Sequence, residues 1–136
     1  MHIQPLKLLW LWLIPLFLSA DFVHWLGDYD TAHARALKAH KPLLVLVLKQ
    51  NSPDSNHIIK TVFMNRKYVK TINKKTVAVI VTYEGEASYP SEMYYTTVFP
   101  TLFFVDSRKE IIFKQPLYGQ EINGEAVEKY LNEILD

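Results

Sequence analysis

The stretch Leu44–Phe63, LVLVLKQNSPDSNHIIKTVF, runs from a continuous apolar segment into a helical pattern across one polar junction. Leu43 to Leu48 is unbroken, of strand length, and bounded by Pro42 and by Lys49-Gln50. Such a run fits a strand buried on both faces of a sheet. At the junction, Ser52 offers an N-cap hydroxyl, Pro53 suits the first helical position, and Asp54 suits the positive end of the helix dipole. Ile58, Ile59, Val62 and Phe63 then recur at helical spacing, so the helix turns one face inward. Taken alone, Ser52-Pro53-Asp54-Ser55 is a well-formed helix start.

The flanking sequence extends the alternation. Upstream, Trp25 to Tyr29 leads into an alanine-rich helix over Thr31–His40, with Asp30 as its expected cap and Lys41-Pro42 as its stop. Downstream, Arg66–Ile72 continues the helical character and Thr76–Thr82 reads as a second buried strand. A polar, tyrosine-rich loop follows from Tyr83 to Thr97. Val98-Phe99-Pro100-Thr101 then leads into a third strand, Leu102–Val105, which Asp106–Lys109 turns back into Glu110–Phe113 as a hairpin. The last expected element is an amphipathic helix from Gly124 to Leu135, with Val127, Tyr130, Leu131 and Ile134 facing in. Helices between the early strands imply parallel pairing through right-handed crossovers, and the late hairpin adds an antiparallel edge.

At 136 residues the chain is the size of one domain. Residues 1–20 carry Lys7, an apolar run from Leu8 to Leu18, and then Ser19-Ala20. That is the plan of a secretory signal peptide with cleavage expected after Ala20; an uncleaved N-terminal anchor is the alternative. The run falls short of the roughly 20 apolar residues that span a bilayer. The domain then occupies 21–136 and carries fourteen basic and fourteen acidic side chains. No charge excess points to nucleic acid, and nothing beyond the leader points to a membrane. The sequence contains no cysteine, which removes thiol exchange and thiolate metal sites together.

In order along the chain stand Trp25, Asp28-Tyr29, Ala32 to Ala39, Lys41-Pro42, the strand Leu43–Leu48, Ser52-Pro53-Asp54-Ser55, Val62-Phe63 and Pro100-Thr101. This set resembles the secreted thioredoxin-like proteins of bacteria. Their pattern reads Trp, Asp-Tyr, an alanine helix, Lys-Pro, an apolar strand, Cys-Pro-x-Cys, a helix ending Val-Phe, and Pro-Thr before a third strand. The resemblance implies a thioredoxin-like α/β fold, a central mixed sheet of about four strands flanked by helices in three layers. It also implies a cis peptide bond at Phe99-Pro100, beside the turn, and a groove there that receives the extended chain of a partner.

The departures fall on the chemistry. Ser52 and Ser55 stand where the family has its two cysteines. A thiol with a pKa near about 8.5 can be pulled down at a helix N-terminus, but a serine hydroxyl cannot form the mixed disulfide. Leu46 stands where many thioredoxins keep a buried acid, and Asn51 where a Trp commonly precedes the first cysteine. Other chemistry is poorly supported. Ser52, Asp54 and His57 lie within two turns of one helix with no oxyanion hole beyond its start. His33 and His40 share a helix face too far apart to hold one ion unaided, and read as surface histidines.

These readings give a degenerate turn, Ser52, Pro53, Asp54 and Ser55, and a candidate groove formed by Phe99, Pro100, Thr101, Tyr94 and Tyr95. Within that groove Thr101 reads as core or edge, and the tyrosines of the loop suit a binding rim. No catalytic residue, cofactor or metal is expected. The expected function is a non-catalytic binding or chaperone-like module for an extended peptide or an envelope protein, in the periplasm or otherwise exported. The alternative is a thiol-disulfide oxidoreductase of envelope redox homeostasis whose cysteines are replaced by serine.

Overall fold

The apolar run Leu43–Leu48 forms strand β1, and its first five residues are all buried. A computed structural model of the chain describes residues 22–134; the expected leader, Asp21, and Leu135 at the end of the expected C-terminal helix lie outside the described residues. Ahead of β1, helix α1 spans Tyr29–Ala39. Its cap is Asp28, not Asp30: the Asp28 carboxylate accepts the Thr31 N–H at 2.9 Å and the Thr31 hydroxyl at 2.5 Å. Asp28 has the extended backbone that an N-cap needs, so Asp30 falls inside the first turn and Tyr29 becomes a buried helical residue. At the other end His40 is left-handed (φ 57°) and closes the helix onto the Ala36 and Leu37 carbonyls.

After β1, helix α2 covers Pro53–Ile58 and widens into a π-turn over Ile59–Phe63. The Thr61 hydroxyl donates to the His57 carbonyl at 2.9 Å, a side-chain bond that competes with the helical ladder. Asn65 caps a separate helix, α3, Arg66–Lys75, by accepting the Lys67 N–H at 3.0 Å. Helical spacing alone carries no sign of the widened turn, because Ile58, Val62 and Phe63 are buried either way.

Strand β2, Val77–Thr82, runs parallel to β1, with Leu43 opposite Val77 and Leu48 opposite Thr82. Strand β3, Thr101–Asp106, lies antiparallel on the other side of β1, with Val47 opposite Thr101. The outer edge of β3 carries two short strands: β4, Ile111–Ile112, near its end and β5, Leu117–Tyr118, near its start. Strand β5 is an addition to the expected hairpin; two residues are too few for a period to show. Leu26 forms an isolated parallel bridge with Val79, covering the free edge of β2. Helix α4, Gly124–Asn132, closes the chain, with the Asn123 side chain accepting the Ala126 N–H at 2.9 Å.

Alternation along the strands divides the core between two faces. On one, Leu44, Leu46, Leu102 and Phe104 meet Val62, Phe63, Val69 and Ile72 of the middle helical segments and Val127 and Leu131 of α4. Trp25 packs edge-on against Phe63 there, with ring centroids 5.2 Å apart. On the other, Leu43, Val45, Val47, Phe103 and Val105 meet Tyr29, Ala32 and Ala36 of α1 and Tyr94 of the tyrosine loop. Three layers result, and the C-terminal ends of β1 and β2 share one edge with the start of β3.

Candidate functional site

The chain leaves β1 through Lys49-Gln50-Asn51, and Asn51 takes a left-handed conformation (φ 59°), which asparagine tolerates better than most residues. The Gln50 N–H donates to Glu84 Oε1 at 3.1 Å, tying this turn to the segment after β2. Ser52 is extended, and its Oγ accepts the Ser55 N–H at 3.2 Å, while its carbonyl accepts the Asn56 N–H at 3.2 Å. Pro53 stands at the first helical position, and Asp54 is exposed in the first turn. Ser55 is buried, and its hydroxyl has no hydrogen-bond partner among the described residues.

The two serines therefore have opposite energetic roles. Ser52→Ala removes a cap and should cost about 1 kcal/mol. Ser55→Ala removes an unpaired buried hydroxyl and improves helix propensity, so it should stabilise by about 1 kcal/mol. Urea midpoints of the two variants, compared with the wild type, check both signs.

Across from α2 lies Phe99-Pro100, whose peptide bond is cis. Asp54, His57 and Ile58 on one side and Val98, Phe99 and Pro100 on the other line a recess of about 280 Å³. Asp54 and Pro100 thus border one recess. Pro100 is buried, and its carbonyl accepts the Gly119 N–H at 2.8 Å. Gly119 has φ +55°, and a Cβ there would approach Val98 Cγ1 to 3.3 Å, so both the backbone and the space favour glycine. Thr101 is fully buried; its hydroxyl donates to the Val98 carbonyl at 2.6 Å and lies 2.9 Å from Thr96 Oγ1. It pins the loop before β3 and has no surface to offer a ligand.

The tyrosine loop borders a second recess, of about 360 Å³, which Phe99 also lines. The loop begins as a tight 3₁₀ segment over Tyr83–Ser88, broken at Gly85. Tyr83, Tyr89, Tyr95 and Phe99 line this recess, as do Val47 and Tyr94 from the core. Tyr95 is 76% exposed. Tyr94 is not a rim residue: it is 1% exposed and contributes floor. Its ring packs against Phe103 at 5.2 Å and Tyr29 at 5.5 Å, and its hydroxyl lies 2.7 Å from the Tyr29 hydroxyl. Tyr29 in turn donates to Glu110 Oε2 at 3.0 Å. Burial, outweighing the Tyr29 bond, pushes the Tyr94 hydroxyl up to about 12. Burial, the Tyr94 contact and Glu110 together hold Tyr29 far above the ordinary phenol value.

Nothing in the sequence pattern marks this Tyr94–Tyr29–Glu110 chain, because its members are 65 and 81 residues apart. His33 also differs from the surface reading: it is half-buried, with Nε2 2.7 Å from the Ser107 carbonyl. His40 is exposed at the end of α1. Leu46 is fully buried among apolar side chains, so no acid lies at that strand position. Among the described residues no three His, Cys, Asp or Glu side chains are grouped to hold a metal. No helix among them is long and apolar enough to cross a membrane.

The same architecture recurs in solved structures. A thioredoxin from Thermus thermophilus aligns with a TM-score of 0.66 at 18% identity, over 82% of this chain and 86% of that one. The C-terminal domain of DsbD from Neisseria meningitidis, in its oxidised form, aligns at 0.59 and 19% identity, over 79% of this chain and 97% of its own. A disulphide isomerase from Xylella fastidiosa Temecula1 aligns at 0.58 and 16% identity, over 88% and 99%. No protein-family model and no curated protein sequence matches the chain. The fold is thioredoxin-like, an α/β fold with a mixed sheet, and it is built here without a cysteine.

Proposed function

We propose that this chain is an exported, redox-inactive thioredoxin-fold module that holds an extended segment of another envelope protein in the groove beside Pro100. One observation carries the reading: the turn stays capped and shares a recess with Pro100 while both positions that would carry sulfur carry hydroxyls. A hydroxyl cannot enter disulfide exchange, so what this geometry retains is shape. Pro100 has no N–H and its carbonyl is engaged by Gly119, so pairing with an incoming strand falls to the Phe99 main chain. Exposed tyrosines beside that edge supply contact area at low entropic cost. Export rests on the leader pattern of residues 1–20.

Capture from envelope extracts tests the reading, with the wild-type chain compared against Tyr83→Ala/Tyr95→Ala, which alters two exposed rings and leaves the core alone. A partner held by the wild type and lost by the variant is the expected result; equal capture by both argues against the groove.

A second reading, an oxidoreductase that has lost its cysteines, is favoured by the survival of the capped turn itself. Ser52→Cys/Ser55→Cys separates the two. With Leu46 in place of an acid, proton transfer at the buried position has no assistance, and such assistance contributes typically about 10²–10⁴-fold. The double variant should therefore reduce insulin at least about tenfold more slowly than a dithiol thioredoxin. Full activity would favour the second reading.

A further inference from the structure

Phe99 lines two recesses, and the one bordered by the tyrosine loop has a charge pattern that the groove reading does not use. Glu86 and Glu92 border it, and Lys49 is the single cationic lining residue. Glu84, two residues before Glu86, already accepts the Gln50 N–H. The lining therefore carries more negative than positive charge, around rings whose faces attract cations. Tyr83 is 46% exposed and Tyr95 76%, so large aromatic surfaces stand in water at a concavity instead of being scattered. The chain's own geometry illustrates the affinity: Lys49 Nζ lies 5.9 Å from the centre of the Phe99 ring, against which Tyr83 also packs at 5.3 Å. The Tyr89 hydroxyl is held above the ordinary phenol value, first by burial and then by the nearby Glu86 and Glu84.

We propose that the recess between Tyr83, Tyr89, Tyr95 and Phe99 binds the cationic side chain, arginine or lysine, of the extended segment that docks beside Pro100. The site rests on the groove reading for how the segment arrives, and adds which side chain it must carry. Phe99 lines both recesses, so a strand paired with its main chain, which projects alternate side chains to opposite sides, brings one of them to the tyrosine recess. A guanidinium or ammonium entering there stacks on ring faces and meets Glu86 and Glu92, while its aliphatic stem covers apolar floor. Lys49 opposes it, by charge and by occupying the Phe99 face. An anionic side chain would face the two carboxylates and be rejected.

The test titrates acetyl-Ala-Arg-Ala-amide and its neutral citrulline counterpart into the isotopically labelled protein and follows backbone amide shifts. The arginine peptide should shift the amides of residues 83–97 together with those of Phe99 and Thr101 saturably, with Kd on the order of millimolar, and the citrulline peptide should not. Glu86→Gln/Glu92→Gln should weaken arginine binding by roughly fivefold, and Lys49→Met should tighten it by roughly twofold. Equal shifts from both peptides overturn the cation site; if those shifts include Phe99 and Thr101, the groove reading survives alone. Arginine-specific shifts confined to residues 83–97 support the cation site and count against pairing at Phe99. No saturable shift with either peptide overturns both.

Discussion

Tyr94→Ala should lower stability by about 4 kcal/mol, the scale on which a buried aromatic ring is lost to a cavity. The ring is 1% exposed, packs against Tyr29 and Phe103, and reaches Tyr89 at 6.4 Å. Domains of this size are stable by only about 5–15 kcal/mol, so a loss of that order should bring the melting temperature down by on the order of 20 °C. The same change removes the floor of the tyrosine recess. Tyr94→Phe is the informative partner: it keeps the packing, surrenders the hydroxyl contact with Tyr29, and should cost only about 1 kcal/mol. Thermal unfolding of the two variants separates the ring from its hydroxyl. Near-equal losses would mean that the hydroxyl contact, not the packing, dominates at this position.

Alkaline pH should weaken the protein through the same pair. Tyr94 and Tyr29 both have folded-state values raised above the ordinary phenol, Tyr94 to about 12 and Tyr29 further. A raised acid is neutral in the fold at a pH where the unfolded chain ionises, so the unfolded state binds fewer protons there and stability falls as pH rises. The contribution is fully present below about pH 10 and is lost above it. The limiting slope for one tyrosine is about 1.4 kcal/mol per pH unit, reached once the unfolded chain has ionised. Urea midpoints across that window measure the slope. Tyr94→Phe, which removes one of the two raised hydroxyls, should make it shallower.

The fold was readable because its main signals are local. Leu43–Leu48 announces a doubly buried strand, and Ser52-Pro53-Asp54 announces the helix that follows it. The alanines of α1 mark where a helix approaches the sheet closely, and Ala32 and Ala36 are fully buried there. What escaped the sequence was non-local or too short to have a period. The two-residue β5 exists because β3 offers it an edge and Gly119 turns the chain beside it. The cap of α1 moved from Asp30 to Asp28 because either carboxylate fits the composition, and Thr31, three residues beyond Asp28, decides between them. At the site, the turn and Pro100 were legible as positions, and the recess they share needed the fold. Tyr94 shows the limit most clearly. A tyrosine beside another tyrosine in a polar loop reads as surface, yet Tyr94 is core and only Tyr95 is exposed. The alternative orientations differ only in which ring finds Tyr29 and Phe103, a contact made across 65 residues in the first case.

The proposed partner chain would occupy the edge between the capped turn and the tyrosine loop. Photo-crosslinking in intact cells measures that occupancy directly, with a photoreactive phenylalanine at Tyr95 and, as the control, at Lys129 on the exposed side of α4. A discrete adduct from position 95, absent from 129, is the predicted result. No adduct at 95, or the same adducts from both positions, would show that the groove holds no partner and that the turn survives only as a helix cap.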